Sequence, residues 1–368
     1  MATVRFWGGV GVIGSSKILI EQDGWRVLLD FGLDYTPGVG LFQAGLRPRP
    51  GRELYDRLMT GVAPRISHVY APQFVEGTGL PGGTDGRTAL FITHAHLDHM
   101  GLTGFVDPAL PMYASPDTVR LLQALADAGD RVEGGAPVLQ SLQAGGPVQT
   151  GPFRVTRFDV EHDVAGASGY RVETEDGAVA FTGDIRLHGR HPETSLAFAE
   201  AVRGARALVI EGTTLSFGFG TQTRTEEEVD ALFGRALRET PGLVMVSLYH
   251  RNVERAEAFL ALAEREGRRF LWPKMQAEAL SAWFGRGLEA WGSPELTAEV
   301  RRHPERFVVQ LPGHDAPWML DFGAGPGSVY LHANGDPLGP YDPLWHVVQD
   351  WLQHLHVPFW PIGTGGHA

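Results

Sequence analysis

The chain has 368 residues, 43% of them hydrophobic, and a formal net charge of -12, so it can bury a large core and its length suits two domains or one with a large insertion. It contains no cysteine, which excludes disulfides, iron–sulfur clusters and thiolate-bound zinc and leaves histidine and carboxylate as the only strong metal ligands. The acidic balance argues against a surface coated for nucleic acid, because affinity for phosphate backbones comes from clustered Lys and Arg.

Residues 3 to 33 alternate short β-type runs with glycine turns ("TVRFWG", "SSKILIEQ", "WRVLLDFG"), the pattern of consecutive antiparallel strands. Residues 34 to 88 are turn-rich, with one short helix expected in "LRPRPGRELYDRLM", before a strand at "TALFIT". From Ser115 a helix is signalled by a capping serine, Pro116 at the first helical position, and Val119, Leu122, Leu125 and Ala126 at helical spacing. Strands follow at "FRVTRFDV", "SGYRVET" and "AVAFTG", then a helix around Ser195 to Val202 and a strand at "ALVIEG". This order suggests a sheet sandwich flanked by helices.

After Gly212 the pattern becomes α/β alternation. Thr225 and Glu228 form a capping box ahead of a helix. "LVMVSLY" reads as a strand that feeds a helix from Asn252, with Val253, Ala256, Leu260 and Ala263 on one face and Gly267 at its end. In "DPLWHVVQDWLQHLH", Leu344, Val348, Trp351, Leu352 and Leu355 share one stripe and are expected in the core. No run approaches the ~20 apolar residues of a membrane span. The first residues lack a charged stretch followed by an apolar one, so a cytoplasmic protein is expected.

The sharpest chemical signal is "ITHAHLDHMG". His94 and His96 alternate in an extended segment after a strand and can face one point, while Asp98 and His99 in the following turn can face a neighbouring one. A dinuclear site needs two such points. "EHDVAGASGY" adds His162 and "FTGDIRLHG" adds Asp184. Neutral imidazoles with carboxylates suit Zn²⁺ or Mn²⁺, and a pair of such ions can generate a bridging hydroxide.

H-x-H-x-D-H after a strand, then an isolated histidine, then an aspartate after a "TG" turn, resembles the metallo-β-lactamase fold from Met1 to about Gly212. "ALVIEGTT", the α/β segment containing "SLYHRNVERAEAFLALAEREGRR", "VYLHANGDP" and the final "GTGGHA" resemble the β-CASP nucleases, the group of ribonuclease J and the pre-mRNA cleavage factors. The resemblance implies an αββα sandwich with an inserted α/β β-CASP domain. Residues 1–211 would form the sandwich, 212–357 the insertion, and 358–368 a return to the sandwich.

On the same basis His94, His96 and His162 would hold one divalent ion, Asp98 and His99 the second, and Asp184 would bridge them. Asp30 in "LLDFG" falls where the family has a structural aspartate, and reads equally well as a turn residue. Glu211 would match an acid at a strand end and His367 a histidine in an "SGHA"-like turn. Glu211 would then orient His367, His367 would protonate the leaving 3′ oxygen, and Asp98 would help position the nucleophile. A further family histidine lies downstream of that turn, and the sequence stops at Ala368, so a chain cut short is expected.

The resulting expectation is a metal-dependent phosphodiesterase with two Zn²⁺ (or Mn²⁺) ions, acting on single-stranded RNA, with DNA as the second polymer to consider and a homodimer allowed. A small-molecule metallohydrolase acting on a lactone, thioester or lactam explains the first half and leaves the insertion without purpose. A non-catalytic β-CASP subunit is the third reading. His188 is expected to line the cleft, and His314 and His332 to sit in surface turns. Arg251 and Arg255 are expected on an exposed helix face, although a helix N-terminus there could also hold a phosphate.

Overall fold

Short strands, buried on both faces at residues 17–20, 27–29 and 88–91, build the first sheet of the computed structural model, which describes residues 1–12, 14–33, 41–42, 46–217, 223–337, 339–340 and 342–367. Parts of the turn-rich 34–88 stretch and of the 212–357 segment, and Ala368, lie outside the described residues. The sheet comprises β1 (Thr3–Gly8), β2 (Lys17–Gln22), β3 (Trp25–Leu29), β4 (Thr88–Phe91), β5 (Met112–Ala114) and β6 (Leu139–Ser141), in that spatial order. The first three strands are antiparallel and the rest run parallel.

The second sheet is β7 (Pro147–Thr150), β8 (Phe153–Asp159), β9 (Ser168–Thr174), β10 (Gly177–Phe181) and β11 (Ala207–Val209). Ile18, Ile20, Val27 and Leu29 pack against Phe153, Val155, Tyr170 and Val172 between the sheets. The intervening Leu19 and Leu28 point the other way, onto Leu54 and Leu58 of α1 (Glu53–Thr60). α2 (Leu97–Met100) and α3 (Pro116–Asp127) lie between β4 and β6 in the chain. α4 (Pro192–Ala201) covers the outer face of the second sheet through Phe198 against Ala180. The result is the expected αββα sandwich.

The third sheet is all parallel. It is built from β12 (Val244–Leu248), β13 (Arg269–Trp272), β14 (Glu289–Ala290), β15 (Phe307–Gln310), β16 (Val329–Ala333) and β17 (Phe359–Pro361), in the order β14-β13-β15-β12-β16-β17. α5 (Glu226–Glu239), α6 (Val253–Arg265) and α7 (Lys274–Phe284) bury one face, and α8 (Pro294–Arg302), α9 (Trp318–Phe322) and α10 (Pro343–His354) the other. Two covered faces explain the continuous apolar run of β12. The Thr225–Glu228 capping box and the Asn252 cap both form.

Three features differ from the sequence reading. The apolar residues of α3 divide: Leu121 and Leu125 join the core of the third-sheet helices, Val119 faces the α1 side and Leu122 touches both, because this helix is wedged between the two bodies. Residues 359–361 pair with β16 in the third sheet, so that only the residues after β17 reach back to the sandwich. His332 is no surface-turn residue; it is buried in β16 with Nε2 2.7 Å from the Pro337 carbonyl. His314 is exposed, as expected, and pairs with Asp336 at 2.8 Å.

Candidate metal centre

The chemistry-bearing residues follow strand ends. His94 and His96 come after β4, Asp98 and His99 lie in α2, His162 follows β8, Asp184 follows β10, Glu211 follows β11 and His367 follows β17. The turn carrying Asp98 and His99 is held by backbone bonds: Ser16 N–H donates to Asp98 O at 2.9 Å, Phe31 N–H to His99 O at 2.6 Å and Leu33 N–H to Leu97 O at 2.9 Å. The approach is so close that a Cβ on Gly32 would lie 1.5 Å from Asp98 O. Glycine is the residue that fits there.

Hydrogen bonds fix the histidine tautomers from outside. His99 Nδ1 lies 2.7 Å from Asp30 Oδ2, so it carries a proton and Nε2 is the ring nitrogen that faces the site. Thr93 Oγ1 donates to Asp30 Oδ2 at 2.8 Å and accepts from His94 Nδ1 at 2.9 Å, which leaves His94 Nε2 bare. His162 Nδ1 donates to the Gly366 carbonyl at 2.5 Å. Asp30 is therefore the residue that orients His99, fully buried with a left-handed φ of 60° that aspartate tolerates.

The inward-facing atoms converge. Ligand atoms of His94, His96, His162 and Asp184 lie within 4.8 Å of one another, as do those of Asp98, His99 and Asp184, and those of Asp184, Glu211 and His367. His162 Nε2 is 3.3 Å from His96 Nδ1, about the ~3.3 Å edge of a tetrahedron whose nitrogen ligands stand ~2.0 Å from a central ion. His99 Nε2 is 3.1 Å from Asp184 Oδ2 and 3.8 Å from Asp98 Oδ2. His94 Nε2, His96 Nε2 and His99 Nε2 are buried and make no hydrogen bond among the described residues. Buried ring nitrogens that converge on shared carboxylates without a well-formed hydrogen bond are costly unless cations compensate them, so the donor set fits two divalent ions.

Protonation follows from the surroundings. Burial and neighbouring imidazoles hold His94 well below the ordinary histidine range, and burial carries His162 down to about 3, so both are neutral donors. Burial opposes charge on His99, but Asp184, Asp30 and Asp98 raise it well above that range. Burial also opposes charge on His367, yet its hydrogen bond to Glu211 and the charge of Asp184 raise it to about 9. His367 Nδ1 is 3.1 Å from Glu211 Oε2 and 3.7 Å from Asp184 Oδ2, with the side chain 27% exposed. Glu211 is itself held by the Ile185 and Thr213 amides at 3.2 and 3.1 Å.

The structure thus brings together His94, His96, Asp98, His99, His162, Asp184, Glu211 and His367. Arg251 and Arg255 are buried, not exposed: Arg251 donates to Ala95 O at 2.6 Å and pairs with Asp130, while Arg255 pairs with Glu226. His188 does reach the site region, donating to Gly365 O at 2.9 Å. Two residues went unnoticed in the sequence. Tyr249, after β12, sets its ring 5.2 Å from that of His96 and so brings the third sheet over the site. Asp163, buried beside His162, places Oδ1 3.2 Å from His96 Nε2 and 3.4 Å from His162 Nε2. Its position directly after a candidate ligand was the one available signal.

Residues 73–218 match the sequence model of the family described as "Beta-lactamase superfamily domain". The chain is 23% identical to a ribonuclease J of Helicobacter pylori over 67% of its own length and 33% of that protein. It is 26% identical to a ribonuclease J of Mycobacterium tuberculosis over 71% of the chain and 42% of the relative. With a ribonuclease J of Thermus thermophilus it shares 27% identity over 88% of the chain and 53% of the relative. It therefore spans a third to about half of the length of these relatives. Among solved structures it is similar to a crystal structure titled as a protein of unknown function from Enterococcus faecalis V583, with a TM-score of 0.82 and 26% identity over 100% of this chain and 89% of that one.

Proposed function

On the premise that this chain is a metallo-β-lactamase-fold hydrolase of the β-CASP nuclease group, we propose that it is a metal-dependent phosphodiesterase acting on single-stranded RNA in the cytoplasm. The observation that carries the reading is the cage of inward-facing imidazole nitrogens converging on Asp184, with His367 and Glu211 beside it. The ribonuclease J relatives supply the substrate class.

In this reading His94, His96, His162 and Asp184 would hold one divalent ion, and Asp98, His99 and Asp184 would hold the second. Imidazole and carboxylate donors suit Zn²⁺ or Mn²⁺. When bound, such ions supply Lewis-acid activation of a water nucleophile and neutralise charge on the phosphate. Asp98, with a 21% exposed side chain, is the carboxylate that positions the water. His367 carries its proton at neutral pH and delivers it to the departing 3′ oxygen as the phosphorus–oxygen bond breaks. Glu211 fixes the ring and keeps it charged.

The RNA strand lies between the sandwich and the third sheet, where Tyr249 roofs His96. Arg251, Arg255 and Arg186 do not supply a positive track for it, because Asp130, Glu226 and Glu161 neutralise them in the interior. The test is cleavage of end-labelled single-stranded RNA by metal-loaded protein, chelated protein and the His367→Gln variant. Metal-dependent cleavage that falls by about 10²- to 10⁴-fold in the variant, the usual worth of a positioned general acid, supports the reading. Metal-dependent turnover of an ester or lactone with no RNA cleavage overturns it.

A further inference from the structure

Residues 363–367 form a strap in which the carbonyls of Gly363 to Gly366 are all claimed by side chains from elsewhere in the fold. Gly363 O accepts from Arg224 Nη1 at 3.3 Å and Thr364 O from Arg255 Nη2 at 3.2 Å. Gly365 O accepts from His188 Nε2 at 2.9 Å and more weakly from Arg186 Nη1 at 3.5 Å, and Gly366 O accepts from His162 Nδ1. Thr364 Oγ1 donates to Arg224 O at 2.7 Å. The strap approaches so closely that a Cβ on Gly366 would lie 2.7 Å from His162 Cε1.

One buried carboxylate ties these donors together. Glu226, in the first turn of α5 and 1% exposed, accepts from Arg186 Nη1 at 2.7 Å and from Arg255 Nη2 and Nε at 2.7 and 3.1 Å. Arg186 also pairs with Glu161, the residue before His162, at 2.9 Å, and Arg255 also donates to Ala333 O at 2.9 Å. Glu226 thus joins the sandwich, the third sheet and the strap without touching any candidate ligand. Two guanidinium groups at full burial need such a partner.

We infer that Glu226 is a positioning residue for the metal centre: through Arg186 and Arg255 it seats the strap, whose Gly366 carbonyl sets the tautomer of His162 and whose His367 stands over the site. The chain of action runs from carboxylate to guanidinium, to the Thr364 and Gly365 carbonyls, along the strap to the Gly366 carbonyl, and so to the outer ring nitrogen of His162. Outer partners of ligating histidines typically contribute about 10- to 100-fold in metal affinity. Linkage makes the effect reciprocal, so bound metal stabilises the strap as much as the seated strap stabilises bound metal. The inference rests on the metal-dependent reading above.

The test combines chelator-competition titration of Zn²⁺ and Mn²⁺ with hydrogen exchange of peptide 362–367, on wild type and on Glu226→Gln and Thr364→Val. Thr364→Val removes one strap bond and leaves the buried ion pairs intact, so it remains informative where Glu226→Gln does not fold. The expected result is metal binding weakened at least about tenfold in Glu226→Gln, concentrated in one of the two ions, with a smaller loss in Thr364→Val. Metal should also slow exchange of the strap in wild type, and less so in the variants. Unchanged affinity in the folded variants together with metal-independent strap exchange overturns the inference while leaving the metal reading in place. A wild-type protein that binds neither ion overturns both.

Discussion

Glu211→Gln separates the charge of the His367 partner from its shape. In the native site the Glu211 carboxylate, 3.1 Å from His367 Nδ1, raises that histidine to about 9, with Asp184 assisting. A group raised in this way is fully protonated below its ordinary value near 6.5 and loses its proton only as pH rises through about 9. Glutamine keeps a hydrogen-bond acceptor and removes the charge. If the whole shift is lost, the protonated fraction at about pH 7.5 falls from roughly 0.97 to roughly 0.09, a tenfold loss of competent acid, whereas at about pH 6 the loss is under a factor of two. The assay is kcat/KM for end-labelled single-stranded RNA across pH. The alkaline limb should move down by up to about 2.5 units while the acid limb stays in place. A uniform loss at every pH, with the limb unmoved, would refute the assignment of Glu211 as the partner that keeps His367 charged.

Other substitutions test the supporting structure. Asp30→Ala strips acceptors from His99 Nδ1, Thr93 N and Thr93 Oγ1 at once; thermal unfolding should show a loss on the order of 3–5 kcal/mol, the usual consequence of breaking a buried charged pair. Gly32→Ala drives a methyl into the Asp98 carbonyl and should lower both melting temperature and metal content, where a surface alanine changes neither. Glu226 is held down to about 2 by Arg255 and Arg186 against burial, from an ordinary 4.5. Its stabilisation, on the order of 3 kcal/mol, is therefore present above about pH 4.5 and fades as pH falls toward about 2; acid unfolding of Glu226→Gln should lack that component.

The residues that could be read from the sequence are those whose geometry is local. Spacing in "THAHLDH" places four donors within one turn after β4 whatever the rest of the chain does, and the cap signals at Ser115, Thr225 and Asn252 act within three residues. What could not be read depends on segments meeting across the fold. Arg255 carries the pattern of a helix-surface arginine until Glu226 arrives from α5 and Thr364 from the strap. His332 sits close to glycine in sequence, but β16 is flanked by β12 and β17, which buries it. The helices and strands between 273 and 328 are short, and their apolar runs do not distinguish a central parallel strand from a buried helix. Asp30 read equally well as a turn residue and as a structural aspartate near the site, because the partner that decides between them lies at position 99.

The central claim is that the cage around Asp184 holds divalent metal that drives RNA hydrolysis. The most direct measurement is the number of bound divalent ions per chain, with single-stranded RNA cleavage assayed on the same samples, for wild type and Asp184→Ala. The account predicts two ions and cleavage in wild type, and loss of at least one ion together with cleavage in the variant, because Asp184 belongs to both ligand sets. An Asp184→Ala protein that keeps both ions, or that cleaves RNA as fast as wild type, would contradict it.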